Sequence, residues 1–204
     1  MFYSTWNGQA WSSPQPFASA NSQYWVTGST WGLGFNGAVF RTYGRDDNVY
    51  IRSFSGSSWS VEVQLSNSGV FFAYPTVAQN EFNEVMVCWE ENSVIYCRYF
   101  NPQAAQWEPV FGVTGGNLPS IVAVPNTRVF YLTYTPGDSH YIFGKQCTMG
   151  TCAKNVTDTV SNGVPPTFTV SSSVCADGTG RLFCVFENWQ SGNPQAFLTT
   201  AMFK

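Results

Sequence analysis

The feature that most constrains this chain is a recurring aromatic spacing. Tyr50, Phe54 and Trp59 are followed by Tyr96, Phe100 and Trp107, and preceded by Phe2, Trp6 and Trp11. Each set marks an aromatic-rich strand, a polar turn and a Trp that opens the next strand. The segment before each set recurs as well, as AVFRTYGRDDN, VMVCWEEN, RVFYLTYTPGDS and RLFCVFENWQSGN. Tyr43, Trp89, Tyr134 and Phe186 are therefore equivalent positions, at intervals of 46, 45 and 52 residues. A period of about 45 residues built from short strands is the signature of a β-propeller blade. No 3.6-residue apolar stripe with caps is found; alternation and Gly, Pro, Asn and Asp turns dominate.

The expected fold is all-β, a small β-propeller of about four blades in a single domain over residues 1–204. The units run over residues 23–65, 66–113, 114–160 and 161–204. Residues 1–17 resemble the back half of a blade and are expected to pair with the fourth unit. That pairing closes the ring and hides sheet edges. AFLTTAMFK and MFYSTW both read as a third strand, so the closing blade has a spare strand. Its edge offers a place for a second copy, so a homo-oligomer is an expected option.

Charged side chains make up only 10% of the chain and aromatic ones 17%. The surface must then be built from Ser, Thr, Asn, Gln and Gly. A net charge of −3 with no basic run argues against nucleic acid and anionic membrane as partners. No apolar run reaches the ~20 residues of a membrane-spanning helix. The six cysteines fall into close pairs, Cys88/Cys97, Cys147/Cys152 and Cys175/Cys184. In the repeat register each pair flanks a hairpin turn, so bridging between adjacent strands is expected. Metal binding is the weaker reading, since there is no C-x-x-C and His140 is the sole histidine. Disulfides imply an oxidising compartment, and the sequon at Asn155 agrees with secretion as a glycoprotein. The repeat starts at Phe2, which reads as a mature form whose leader is gone and whose Met is supplied.

The unit AVFRTYGRDDNVYIRSFSGSSWS resembles a blade of the fungal fucose-specific lectin propellers. The resemblance covers most of the chain as a pattern and implies a lectin-like, disulfide-stapled propeller. In those lectins an Arg, a Glu and aromatic faces hold the sugar. Trp59 matches the lectin Trp, whereas the Arg position holds Val39 and the Glu positions hold Ile51 and Cys97. By overall profile the chain is also similar to the secreted fungal hetero-Diels–Alderases of tropolone sesquiterpenoid biosynthesis. That likeness implies a cofactor-free pericyclase joining a quinone-methide heterodiene to a terpene olefin in an aromatic pocket. The rival readings are a carbohydrate-binding lectin with an altered fucose-type site, and a secreted recognition protein without a small ligand.

Ordinary catalytic constellations are poor. His140 is the single candidate for a Ser-His-Asp arrangement and lies in the turn PGDSHY beside Asp138. Glu90 and Glu187 follow the equivalent aromatics Trp89 and Phe186, a potential carboxylate pair, although two solvated turns are the favoured reading. Arg41 sits in an otherwise apolar strand next to Tyr43 and reads as an edge residue or a ligand clamp. The candidate catalytic residues are thus Arg41 and His140. The candidate ligand-binding residues are Tyr43, Trp59, Trp89, Glu90, Tyr134 and Phe186, for a small apolar or sugar-like ligand. No metal or cofactor is expected.

Overall fold

The computed structural model describes residues 2–17, 30–67, 69, 72–137, 141–153, 158–160, 169–190 and 193–202. Its strands form a short N-terminal hairpin and four antiparallel sheets, one per repeat unit. The hairpin joins β1 (Phe2–Tyr3) to β2 (Gln15–Pro16). The first sheet holds β3 (Thr30–Leu33), β4 (Val39–Arg45), β5 (Asn48–Phe54) and β6 (Val63–Gln64). The second holds β7 (Phe72–Gln79), β8 (Val85–Glu91), β9 (Val94–Asn101), β10 (Gln106–Trp107) and β11 (Phe111–Gly115). The third holds β12 (Asn117–Ala123), β13 (Phe130–Thr135), β14 (Phe143–Thr148), β15 (Thr151–Cys152) and β16 (Asp158–Thr159). The fourth holds β17 (Thr169–Ala176), β18 (Arg181–Gln190) and β19 (Asn193–Met202). Neighbouring sheets pack through their innermost strands, β3 on β7, β7 on β12 and β12 on β17.

The pairing register gives each sheet two distinct faces, because residues directly opposite one another point the same way. In the first sheet Phe40 lies opposite Ser53 and Thr42 opposite Ile51, whereas Arg41 lies opposite Arg52 and Tyr43 opposite Tyr50. The first set forms a trailing face, turned toward the next sheet along the chain. The second forms a leading face, turned toward the previous one. Phe40, Ile51, Val77, Val85, Val87 and Trp89 make one core between the first and second sheets. Met86, Cys88, Ile95 and Cys97 meet Ile121, Phe130, Leu132 and Tyr134 in the next. Tyr131 meets Val174 and Leu182 between the third and fourth sheets.

Backbone hydrogen bonds recur with the same register. Thr76 Oγ1 accepts from the Ile121 amide at 3.4 Å, and Ser120 Oγ from the Val174 amide at 3.2 Å. Each of these bonds joins one sheet to the next. The inner strands β7 and β12 carry a bulge near their start, where Tyr74 and Leu118 adopt φ of 53° and 54°. A proline follows each of them, Pro75 and Pro119, and a proline disfavours the right-handed helical region for the residue before it.

The N-terminal segment does have the shape of a back half-blade. A constant offset of 48 residues maps Phe2 onto Tyr50 and Phe17 onto Leu65. Under that offset the Ser12 amide bonds Thr5 O as the Ser60 amide bonds Ser53 O. The Thr5 amide reaches Ser12 Oγ at 3.0 Å as the Ser53 amide reaches Ser60 Oγ at 3.0 Å. The bridge Trp6–Trp11 repeats the bridge Phe54–Trp59. One cation repeats too. Arg52 donates to Ser60 O and to Phe17 O, and Arg98 donates to Glu108 O and to Leu65 O. Each arginine thus ties its own outer turn to the segment just before its sheet. The partner of this half-blade is not the expected one. Among the described residues β1 pairs with β2 rather than with the fourth unit, and Tyr3 and Phe17 pack on Tyr43, Tyr50 and Trp59 of the first sheet.

Two of the three expected disulfides form, Cys88–Cys97 and Cys147–Cys152. Both partners in each pair lie directly opposite in register. All four sulfurs belong to the core between the second and third sheets. Cys175 and Cys184 are unbonded, which corrects the third expected bridge. Cys175 faces Phe183 and Cys184 faces Val174, so the two thiols lie one residue out of step on opposite faces. Cys175 is exposed and Cys184 buried, and burial, with Cys175 nearby, pushes the Cys184 thiol up to about 11.

Two measurements check this arrangement. Denatured without reductant, the chain shows two reactive thiols in an Ellman titration, those of Cys175 and Cys184; a reading of none means the third bridge exists. Replacing Arg98 by Ala leaves the Leu65 and Glu108 carbonyls without their donor. The expected cost is about 1–3 kcal/mol, read as a melting temperature lower by roughly 2–4 °C per kcal/mol for a chain of this size. An unchanged melting temperature contradicts the clasp.

Candidate functional site

A cavity with a volume of about 330 Å³ lies between the first and second sheets. Its existence follows from one register position. Tyr3 of the half-blade corresponds to Ile51 of the first sheet under the 48-residue offset. Tyr3 packs against Phe54 and Trp59, with ring centroids 6.3 and 5.6 Å apart. One blade later the same aromatic pair is Phe100 and Trp107, 5.4 Å apart, but the residue facing them is the shorter Ile51. In the third copy the position is Cys97, locked in a disulfide. The space that a tyrosine ring takes at the first interface is open at the second.

Phe40, Ile51 and Val63 of the trailing face form one wall, and Val85, Phe100 and Trp107 of the leading face form the other. Polar groups gather at one end. Asn36 Nδ2 donates to Asn83 Oδ1 at 3.1 Å, which ties the two sheets at the rim. Gln79, at the end of β7, is 6% exposed, and its Oε1 has no hydrogen-bond partner among the described residues. A buried acceptor of this kind costs about 1–3 kcal/mol when unpaired. Gly34 makes room for it, since a Cβ at Gly34 would sit 1.9 Å from that oxygen. Ser53 and Ser60 line the same cleft.

An equivalent cleft of about 350 Å³ lies one interface on. There Tyr99 stands at the position of Ser53, Glu108 at that of Ser60 and Arg128 at that of Asn83. Arg128 Nη1 pairs with the buried Glu84 at 2.6 Å, and its guanidinium lies over the Phe82 ring at 4.7 Å. The Tyr99 phenol is held neutral well above its ordinary range, first by burial and then by a hydrogen bond to Glu84.

The residues singled out from the sequence are not brought together. Arg41, Tyr43 and Trp59 lie on the leading face of the first sheet, beneath the half-blade. The Arg41 guanidinium sits 4.3 Å over the Trp31 ring and 5.4 Å over Phe17, and burial lowers its pKa. Tyr43 donates its hydroxyl to Glu62 Oε2, which also receives Arg45 Nη1 at 3.1 Å. Burial, then that hydrogen bond, pushes the Tyr43 phenol far above its usual range. Trp89 is fully buried in the core between the first and second sheets, and its indole N–H donates to Glu91 at 3.2 Å. Glu90 accepts from the Leu118 amide at 3.2 Å. Tyr134 belongs to the core between the second and third sheets, and Phe186 to that between the third and fourth. His140 and Asn155 lie outside the described residues. Gln79, Asn36 and Asn83 are not marked out by the sequence. The amides carry no periodic signal, and only the facing strand shows which gap they enter.

No family model matches the chain, and no curated protein matches it. Solved structures do share its fold. The NanB sialidase of Streptococcus pneumoniae is similar with a TM-score of 0.64 and 8% identity, over 95% of this chain and 33% of that one. An arginine-substituted variant of AofleA from Arthrobotrys oligospora gives 0.56 and 11%, over 86% of this chain and 57% of that one. The endo-arabinase of Bacteroides thetaiotaomicron gives 0.55 and 13%, over 95% of this chain and 82% of that one. The chain spans about a third of the sialidase and little more than half of AofleA. The fold is therefore of the β-propeller type.

The two perturbed phenols make a pH prediction. Their folded pKa values lie above the unfolded value of about 10, so the stability they carry is complete below pH 10 and is lost as pH rises through the folded values. Absorbance at 295 nm should show Tyr43 and Tyr99 un-ionised at pH 11 until the chain unfolds. Replacing both by Phe should leave the early part of the titration unchanged; a smaller early phase contradicts the shifts.

Proposed function

We propose that this chain is a binding module whose cleft between the first and second sheets takes a neutral, hydroxyl-bearing ligand with one apolar face, a sugar-like molecule. The observation that carries the reading is the unpaired, buried Gln79 Oε1 at the polar end of an aromatic-walled cleft. A ligand hydroxyl donates to that oxygen while an apolar ring face lies on Trp107 or Phe100. The rim is made of amides and hydroxyls, Asn36, Asn83, Ser53 and Ser60, which suit a neutral polyol. Arg52 also lines the cleft, but its guanidinium is engaged by the Ser60 and Phe17 carbonyls. This grip differs from the Arg and Glu pair of the fucose-specific lectins, whose positions hold Val39 and Ile51 here. The sialidase and the endo-arabinase among the similar folds are named for sugar chemistry, which supports the same class of ligand.

The apolar walls favour a second reading, the hetero-Diels–Alder cycloaddition of a quinone-methide heterodiene with a terpene olefin. Such a reaction needs no nucleophile, only two partners held at near-attack distance and a donor at the heterodiene oxygen. Phe40, Val85, Phe100 and Trp107 supply the walls, and the Gln79 amide supplies the donor. A volume of about 330 Å³ is at the low end for small-molecule sites. That size suits one ring system better than two reactants, which ranks this reading second.

A glycan array probed with oxidised protein, with free fucose and other monosaccharides as competitors, separates the two. The expected result is competable binding to neutral glycans, weakened about tenfold in Gln79→Ala, since one such hydrogen bond carries roughly 1.4 kcal/mol. Trp107→Ala should weaken it further. A blank array, with cycloadduct formed above the uncatalysed background, overturns the sugar reading in favour of the pericyclase. A blank in both assays leaves a recognition protein without a small ligand.

A further inference from the structure

Among the described residues, each interface between successive sheets joins a trailing face to a leading face. The half-blade meets the first sheet, the first meets the second, the second the third, and the third the fourth. Two faces remain at the ends of the series. One is the leading face of the half-blade, where Phe2, Trp6 and Trp11 are 70%, 53% and 68% exposed. Their equivalents Tyr50, Phe54 and Trp59 are covered by Tyr3 and Phe17. The other is the trailing face of the fourth sheet. Phe183 and Val185 stand there at the positions of Phe40 and Thr42, Cys175 is exposed, and Val185 is 47% exposed.

We propose that these two faces dock between copies of this chain, the fourth sheet of one protomer seating on the half-blade of the next. Three observations select a second copy. First, the faces are of complementary kind under the register that governs every other interface in the chain. Second, Phe2, Trp6, Trp11 and Val185 all stay exposed, so among the described residues neither face is covered from within the chain. Third, residues 1–40 contain no charged side chain, although the whole chain carries a net charge of −3. The half-blade is the uncharged place where two such copies approach without repulsion. The position of Arg52 and Arg98 is taken there by Ser4, so the charge that would guard an open edge is absent. Exposed edges and aromatic patches without such guards are association sites.

The contact is heterologous, so it builds open chains or a larger ring rather than a closed pair. Three half-exposed aromatics supply on the order of 300 Å² per protomer, which belongs with weak interfaces. The expected affinity is on the order of 10–100 μM.

Sedimentation velocity from about 1 to 300 μM is the first test. Wild-type protein should show mass rising continuously with concentration, and the Trp6→Ser/Trp11→Ser variant, altered only at exposed sites, should stay monomeric with an unchanged melting temperature. Cysteine pairing gives the geometry, in a Cys175→Ser background. Copies carrying Trp6→Cys, mixed with copies carrying Val185→Cys, should form the mixed disulfide in preference to either homodimer. A wild-type protein that remains monomeric throughout overturns the proposal. Preferential Trp6→Cys homodimers also overturn it, because they mean a head-to-head pair. A doubly substituted copy that links only to itself at high concentration overturns it as well, because the ring then closes within one chain.

Discussion

The packing of one sheet's trailing face on the next sheet's leading face is the interaction on which the structure depends. A single blade cannot bury both faces of its sheet, so stability comes from the series. Phe40, Ile51, Met86 and Ile95 of trailing faces meet Trp89, Phe130, Leu132 and Tyr134 of leading faces. The arginine clasp and the Thr76 and Ser120 bonds add direction, since each ties a defined donor on one sheet to a defined acceptor on its neighbour. Register slippage by one residue would exchange the two faces of a sheet and lose all of these at once.

Variation at a few register positions then converts a repetitive scaffold into distinct interfaces. At one position Tyr3 fills a gap, Ile51 leaves it open and Cys97 is taken up in a disulfide, so the cleft at that third interface is lined instead by Tyr99, Glu108 and Arg128. The two disulfides concentrate in the interface between the second and third sheets, which makes that pair the most constrained part of the series. The neighbouring interface has the apolar cleft and the orphaned amide oxygen of Gln79. Function and rigidity are thus placed side by side, with Trp107 on the sheet that the disulfides hold.

Much of the fold was legible because aromatic residues mark the third and fourth strands at fixed spacing. The triplet Phe2, Trp6, Trp11 identified a half-blade whose hydrogen bonds reproduce those of the first sheet one by one. Its partner was not legible, since strand identity does not say which edge is free. The cysteines show how narrow the limit is. Closeness across a turn sufficed for Cys88 and Cys97, but the connection Asp177–Arg181, held by bonds from the Thr179 and Arg181 amides to Asp177 Oδ1, shifts Cys175 out of step with Cys184. The candidate site was hardest to read. Tyr43, Trp89, Tyr134 and Phe186 recur because they are core, and recurrence in a repeat protein reports packing first. The cleft arises where recurrence fails, at Ile51, and its polar groups come from turns and strand ends.

The open position at Ile51 creates the binding cleft, and that cleft can be closed with the side chain that closes its counterpart. Ile51→Tyr, compared with wild-type protein on the same glycan array, should remove competable binding while the melting temperature holds or rises, because the new ring takes the space that Tyr3 takes at the preceding interface. Undiminished glycan binding in a folded Ile51→Tyr protein would place the ligand elsewhere and contradict the account.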